Sequence, residues 1–110
     1  MERNSHRFVE RLRREISDIV LTKLHDPRLK NMVTITDIGL SADNKHARML
    51  VSVMGSISEK ADTLNGLKSA SGYMRRELGK RLRLKNIPAL NFMLDPREVG
   101  IPASSVVGNH

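Results

Sequence analysis

Apolar residues recur along this chain with two different periods, and the changes of period mark the elements. Phe8, Val9, Leu12, Ile16, Ile19 and Val20 keep a helical period. They predict a helix over residues 5–25, capped by Asn4 or Ser5 and ended by Asp26-Pro27, because the residue before proline is biased away from the helical region. Arg3, Arg7, Arg11 and Arg14 share its opposite side, where Glu10–Arg14 and Arg14–Asp18 are spaced to pair. After a loop, residues 33–40 are rich in β-branched side chains and read as a strand. The apolar parity changes between Ile35 and Ile38, which predicts a bulge near Asp37-Ile38-Gly39. A turn with Asp43-Asn44 at its tip leads into a returning strand over 47–54. Ala47, Met49, Val51 and Val53 share one of its faces, and the two strands form an antiparallel hairpin.

The helical period returns over residues 59–71, with Ala61, Leu64, Leu67 and Ala70 inward and Ser58 as the cap. Gly72 then interrupts the pattern. A glycine inside a helix costs on the order of 1 kcal/mol relative to alanine, so it signals a kink or the close approach of another backbone. A further helix runs from Tyr73 to about Arg83, with Met74, Leu78 and Leu82 at i, i+4 and i+8. Beyond Ile87-Pro88, residues 89–94 alternate with Leu90, Phe92 and Leu94 on one face, a third strand that Asp95-Pro96 ends. The order α-β-β-α-(kink)-α-β predicts an α+β domain over residues 1–96, with helices on one face of a three-stranded sheet. From Arg97 no period is sustained, so 97–110 reads as a flexible C-terminal tail.

Charge is distributed unevenly over this frame. Residues 66–88 hold seven basic residues and one acid, +6 of the formal net charge of +7. Arg76, Lys80 and Arg83 form a row opposite the apolar face of the last helix. The pattern fits two readings. One is a partner with regularly spaced negative charge, for which a nucleic-acid backbone is the commonest case. The other is a solvated face near a helix C-terminus, where the macrodipole tolerates cations. The hairpin, at −1 over residues 31–65, is not expected to be the binding surface. Phe8, Tyr73 and Phe92 are the only aromatic residues. Base stacking on exposed rings is therefore not the mode of recognition.

Little else in the chain carries chemistry. It has no cysteine, which excludes disulfides, thiolate metal sites and cysteine nucleophiles. His6, His25, His46 and His110 show no helical zinc spacing, and His25-Asp26 does not form a dyad, because adjacent side chains at a helix end diverge. Asp26, Asp37, Asp43 and Asp95 lie in separate loops and strand ends, where such residues cap turns. No phosphate-binding glycine loop and no G-x-S-x-G elbow is present. Met49, Met74 and Met93 read as core filler. No apolar run is long enough to cross a bilayer, and no signal peptide is expected.

The element order matches a K-homology domain of the second type, but the GXXG loop that clamps single strands in such domains is absent. Ala70-Ser71-Gly72 stands in its place. With Asp26-Pro27-Arg28, Val33-Thr34-Ile35-Thr36, Leu40-Ser41-Ala42-Asp43 followed by Ala47, an arginine at 75 or 76, and Pro88-x-Leu90-x-Phe92-x-x-Asp95, the chain resembles the bacterial ribosome-binding factor A family over about residues 3–100. The resemblance implies a K-homology-like fold whose Ala-x-Gly kink replaces GXXG. It implies a cytoplasmic, non-enzymatic assembly factor that binds the free 30S ribosomal subunit and acts in late maturation and 5′-end processing of 16S rRNA, most needed for growth in the cold. Many relatives carry a longer C-terminal extension. The expected rRNA-binding residues are Lys68, Arg75, Arg76, Lys80, Arg81, Arg83 and Lys85, with Arg3, Arg7 and Arg11 added from the first helix. Ala70, Ser71 and Gly72 form the structural kink. No cofactor, metal, membrane or small-molecule substrate is expected, and the protein is expected to act as a monomer. A generic K-homology-like RNA-binding module without ribosome specificity, and a metal-dependent nuclease, are the alternative classes.

Overall fold

A hairpin and a crossover build the sheet. The computed structural model describes residues 2–29 and 32–99, with the backbone alone for 2–5, 98 and 99. Helix α1 (Glu2–Thr22) is followed by a 3-10 turn (Pro27–Leu29), strands β1 (Val33–Leu40) and β2 (His46–Val53), helices α2 (Ile57–Ser69) and α3 (Ser71–Leu82), strand β3 (Ala89–Leu94), and a second 3-10 turn (Pro96–Val99). β1 and β2 pair antiparallel, β3 joins β2 in parallel, and β2 is therefore central. A parallel partner needs a long crossover, and α2 with α3 supplies it. This is the expected α+β order. The core draws Leu12, Ile16 and Ile19 from α1 onto Ala47, Met49, Val51 and Val53 of β2, with Met74, Leu78 and Leu82 of α3 and Leu90 and Phe92 of β3 closing it.

Several boundaries differ from the expectation, each for a visible reason. α1 begins at Glu2, so Asn4 and Ser5 lie inside it rather than capping it, and it ends at Thr22, short of residue 25. The Thr22 hydroxyl donates back to the Asp18 carbonyl at 2.7 Å, and Asp26 instead organises the following turn by accepting from the Arg28 N–H at 2.9 Å. The cap of α2 is Ser56, not Ser58. Ser56 Oγ accepts from the Glu59 N–H, and the Glu59 carboxylate accepts from the Ser56 N–H at 2.8 Å, a complete capping box. Ala61 is exposed, and the buried face of α2 is Thr63, Gly66 and Leu67. This face rests on the first 3-10 turn: Thr63 Oγ1 donates to the Arg28 carbonyl at 3.0 Å. A Cβ on Gly66 would stand 3.1 Å from Leu29.

The bulge in β1 falls at Thr36, one residue before the expected stretch, since Ile35 pairs with Val51 and Asp37 with Leu50. Thr36 is held there by its hydroxyl, which donates to Asp95 at 2.7 Å. Gly39 leaves room for the Arg48 guanidinium, which would be 3.1 Å from a Cβ. Met93 is not core filler. It alternates out of phase with Leu90 and Phe92 and is 36% exposed on the open face of the sheet. Residues 96–99 form a turn in which Arg97 bonds Asp95. The rest of the expected tail, 100–110, lies outside the described residues.

Candidate functional site

α3 presents two faces because its apolar residues fall every four positions. Met74, Leu78 and Leu82 are buried, which turns Arg76 and Lys80 to solvent. Neither makes an ion pair or hydrogen bond with a described residue. Lys68, in the last turn of α2, is likewise exposed. Arg75 is exposed but anchored: one terminal nitrogen donates to the Ile87 carbonyl at 2.8 Å, leaving its other N–H groups available. Arg83 caps the C-terminus of α3 in the left-handed conformation, φ 56 and ψ 43, with its N–H donating to the Gly79 carbonyl. Lys85 follows in the exposed loop.

The break between α2 and α3 sits on Ala70, with φ −87 and ψ −2. Its N–H is shared between the Gly66 and Leu67 carbonyls at 3.0 and 3.2 Å, and its own carbonyl restarts the ladder by accepting from Met74 at 2.9 Å. The flattened ψ ends one helical row and begins another within a single residue. Gly72 is not the bending residue and meets no neighbouring backbone. It lies in the first turn of α3, and a Cβ there would touch only the Arg76 guanidinium, at 3.8 Å.

Arg81, unlike its exposed neighbours, is engaged within the fold. Its side chain is 21% exposed, lying 2.8 Å from Asp18, 3.0 Å from Glu15 and 3.6 Å from Glu77. Hydrogen bonds to Asp18 and Glu15 raise its pKa above the usual guanidinium value. It clamps α3 to α1. The pairs expected along α1 are rearranged accordingly: Asp18 goes to Arg81, and Glu10 lies 3.7 Å from Arg13 rather than pairing with Arg14. On the same side, Arg11 donates to the Arg81 carbonyl at 3.3 Å, bringing the α1 row to the C-terminal end of α3. Arg7 is exposed, and the side chain of Arg3 lies outside the described atoms.

Asp26, Asp43 and Asp95 are engaged in turns, whereas Asp37 lies within β1, 4.0 Å from the Arg48 guanidinium. Arg28 holds Asp26 down to a pKa of about 2 through side-chain and backbone hydrogen bonds. Asp43 accepts from the Ser41 hydroxyl at 2.7 Å and the Lys45 N–H at 3.0 Å. Asp95, 3% exposed, is held well below the usual carboxylate range by Arg97, with Thr36 adding a further hydrogen bond. Among the described residues no cluster of three or more histidines and carboxylates could hold a metal ion, and no helix is long and apolar enough to cross a membrane.

Two shallow depressions border α3. Arg75, Arg76 and Lys85 line one of about 360 Å³, floored by Gly72, Gly79 and Ile87. Gly79 lets the α3–β3 loop close in, since a Cβ there would stand 3.3 Å from the Leu84 carbonyl. The other, about 680 Å³, continues from Arg75 and Lys85 to Asn44, Lys45 and Asn86. Lys45 and the two asparagines carried no signal in the sequence. The hairpin carries no net charge over residues 33–53, and only the fold carries its turn to the loop after α3.

Comparison with known proteins agrees with this architecture. The family model for ribosome-binding factor A matches residues 4–99. The chain is 46% identical over 95 residues to the ribosome-binding factor A of Caldanaerobacter subterraneus subsp. tengcongensis, covering 86% of this chain and 78% of that protein. The crystal structure of ribosome-binding factor A from Thermus thermophilus superposes with a TM-score of 0.72 at 23% identity, covering 88% of this chain and 98% of that one. A homology model of the Thermus thermophilus ribosome-binding factor A, fitted into an electron-microscopy map of its complex with the 30S subunit, gives a TM-score of 0.65 at 24% identity, covering 86% of this chain and 94% of that one. The match along nearly the whole domain, in sequence and in fold, assigns the chain to the ribosome-binding factor A family.

Proposed function

We propose that this protein is a non-catalytic assembly factor that binds the free 30S ribosomal subunit and acts in late maturation of 16S rRNA, including processing of its 5′ end. One observation carries the reading: Lys68, Arg76, Lys80, Arg83 and Lys85 are exposed around the solvent face of α3 and form no ion pair among the described residues, with Arg75 beside them. Held this close, they repel one another unless a polyanion lies across them. Few aromatic residues accompany them, so phosphates and shape are what they can recognise. Family membership and the 30S complex of the Thermus factor support the small subunit as that polyanion. Arg7 and Arg11 extend the surface. Arg81 acts behind it, fixing α3 on α1, and the break at Ala70 sets the direction in which α3 leaves α2. Binding stabilises one conformation of the immature rRNA or blocks its early use.

The test is co-sedimentation with purified ribosomal particles at two salt concentrations. Association with free 30S subunits but not with full ribosomes, weakening with salt, is the expected result. Replacing Arg76 and Lys80 with glutamate should abolish it with the circular dichroism spectrum unchanged. Equal association with every particle, or with any oligonucleotide, would instead identify a generic RNA-binding module.

A further inference from the structure

The two depressions beside α3 share Arg75, Lys85 and Ile87 and so adjoin as one two-part groove. Its first wall is α3, with Arg76. Its second wall is the turn between β1 and β2, which brings Asn44 and Lys45. Both walls are pinned to the same short segment before β3. The Arg75 guanidinium donates to the Ile87 carbonyl at 2.8 Å, and the Ala89 N–H donates to the Lys45 carbonyl at 2.8 Å. The turn itself is stiff. Ser41 and His46 bond across its base, Asn44 donates to the Ser41 carbonyl, and Asn44 takes φ 60. The one carboxylate bordering the groove, Asp43, accepts from Ser41 and from the Lys45 backbone.

We propose that this groove holds a single RNA strand, with Lys45 of the hairpin turn on its phosphates and the Asn44 and Asn86 amides on its ribose hydroxyls. The proposal rests on the rRNA-binding reading above and adds to it a second wall and a strand state. Cations on both sides of a concave channel neutralise one backbone from two directions, which suits a single strand better than a duplex. The one ring among its lining residues is the His46 imidazole, at the end of the hairpin turn, so stacking is limited and most contacts fall to the backbone. A ribose 2′-hydroxyl both donates and accepts, and so does an asparagine amide. The two exposed asparagines at the groove therefore favour RNA over DNA. Because both walls are fixed before binding, little ordering has to accompany it.

Fluorescence anisotropy with a labelled single-stranded RNA of about ten nucleotides, within the usual single-strand site size, and with DNA of the same sequence tests the idea. Lys45→Ala should lower the slope of log affinity against log salt by about 0.7, one phosphate contact on a single strand. Asn86→Ala, and Asn44→Gly, which keeps the left-handed backbone, should reduce the RNA-over-DNA preference severalfold and leave DNA affinity unchanged. Unaltered slopes and preferences in these variants, or tighter binding of an RNA duplex than of the single strand, would overturn the groove assignment. If that happens while the Arg76/Lys80 glutamate variant still fails to bind 30S subunits, the function proposed above stands without it. If that variant binds subunits normally, both readings fall together.

Discussion

Arg83 occupies a backbone conformation that costs an L-residue roughly 1–2 kcal/mol, where glycine would sit without strain. It ends α3 with φ 56 while its side chain stays exposed. A helix stop alone would be better served by glycine, and the phosphate contact proposed for this arginine would account for its presence there. Arg83→Gly should therefore stabilise the protein by about 1 kcal/mol, seen as a higher urea midpoint, and at the same time weaken 30S binding. A fall in stability would mean that the side chain packs in a way its exposure does not suggest. The glycines separate in a similar manner. Gly72→Ala adds a methyl group to a helical residue at ordinary contact distance from the Arg76 guanidinium, 3.8 Å, and should gain up to about 1 kcal/mol. Gly66→Ala drives a Cβ to 3.1 Å from Leu29 and 3.3 Å from Arg28. Overpacking of about 1–3 kcal/mol should cancel the helical gain or exceed it, and thermal melts of the two variants should move apart. Only Gly72 stood out in the sequence, as a break in a helical pattern. Gly66 is critical through residues of the 3-10 turn that only the fold brings against it.

At the scale of elements, strand bounds followed closely from alternation: β1 and β3 run over the residues their patterns marked, because each strand has one face on the core. Caps and bulges followed less well, since they depend on single hydrogen bonds. The clearest case is the end of β3. Asp95 accepts from Thr36 on the far strand and from the backbone and guanidinium of Arg97. It thereby ties β3 to the bulge of β1 across the central strand. Nothing local in the sequence joins residues 36 and 95. Their link has a pH signature. The folded-state pKa of Asp95 is depressed, whereas an unfolded aspartate titrates near 3.9. Its contribution is thus fully present above about pH 4 and is lost as pH falls through the lower folded value. Asp95→Ala should cost about 2–3 kcal/mol at neutral pH, the scale of a charged hydrogen-bonded group lost from a buried site. The difference from wild type should shrink in urea titrations carried out below pH 4. A constant difference across that range would show that the loss is one of packing rather than charge.

The whole molecule is a two-layer body with its uncompensated charge gathered beside α3, and the sequence count of +6 over residues 66–88 overstates what is free. Of the partners of Arg81 only Glu77, four residues back, is local in sequence; Asp18 and Glu15 lie 63 and 66 residues away. Folding subtracts it from the basic face and assigns it to the α1–α3 interface. Arg76 and Arg81 therefore make a controlled pair: the same residue type, on the same helix, one turned out and one turned in. Arg76→Gln should leave the urea midpoint within error and lower the slope of log affinity for 30S subunits against log salt by about 0.9, one phosphate contact on structured RNA. Arg81→Gln should do the reverse. It leaves Glu15, Asp18 and Glu77 facing one another without their cation, which should cost about 1–3 kcal/mol of stability, while the salt slope stays at the wild-type value. Counterion release counts only charges that meet phosphate, so the slope separates the two roles even where both variants bind more weakly. Equal slope changes in the two variants would place Arg81 on the RNA and show that its carboxylate partners release it on binding.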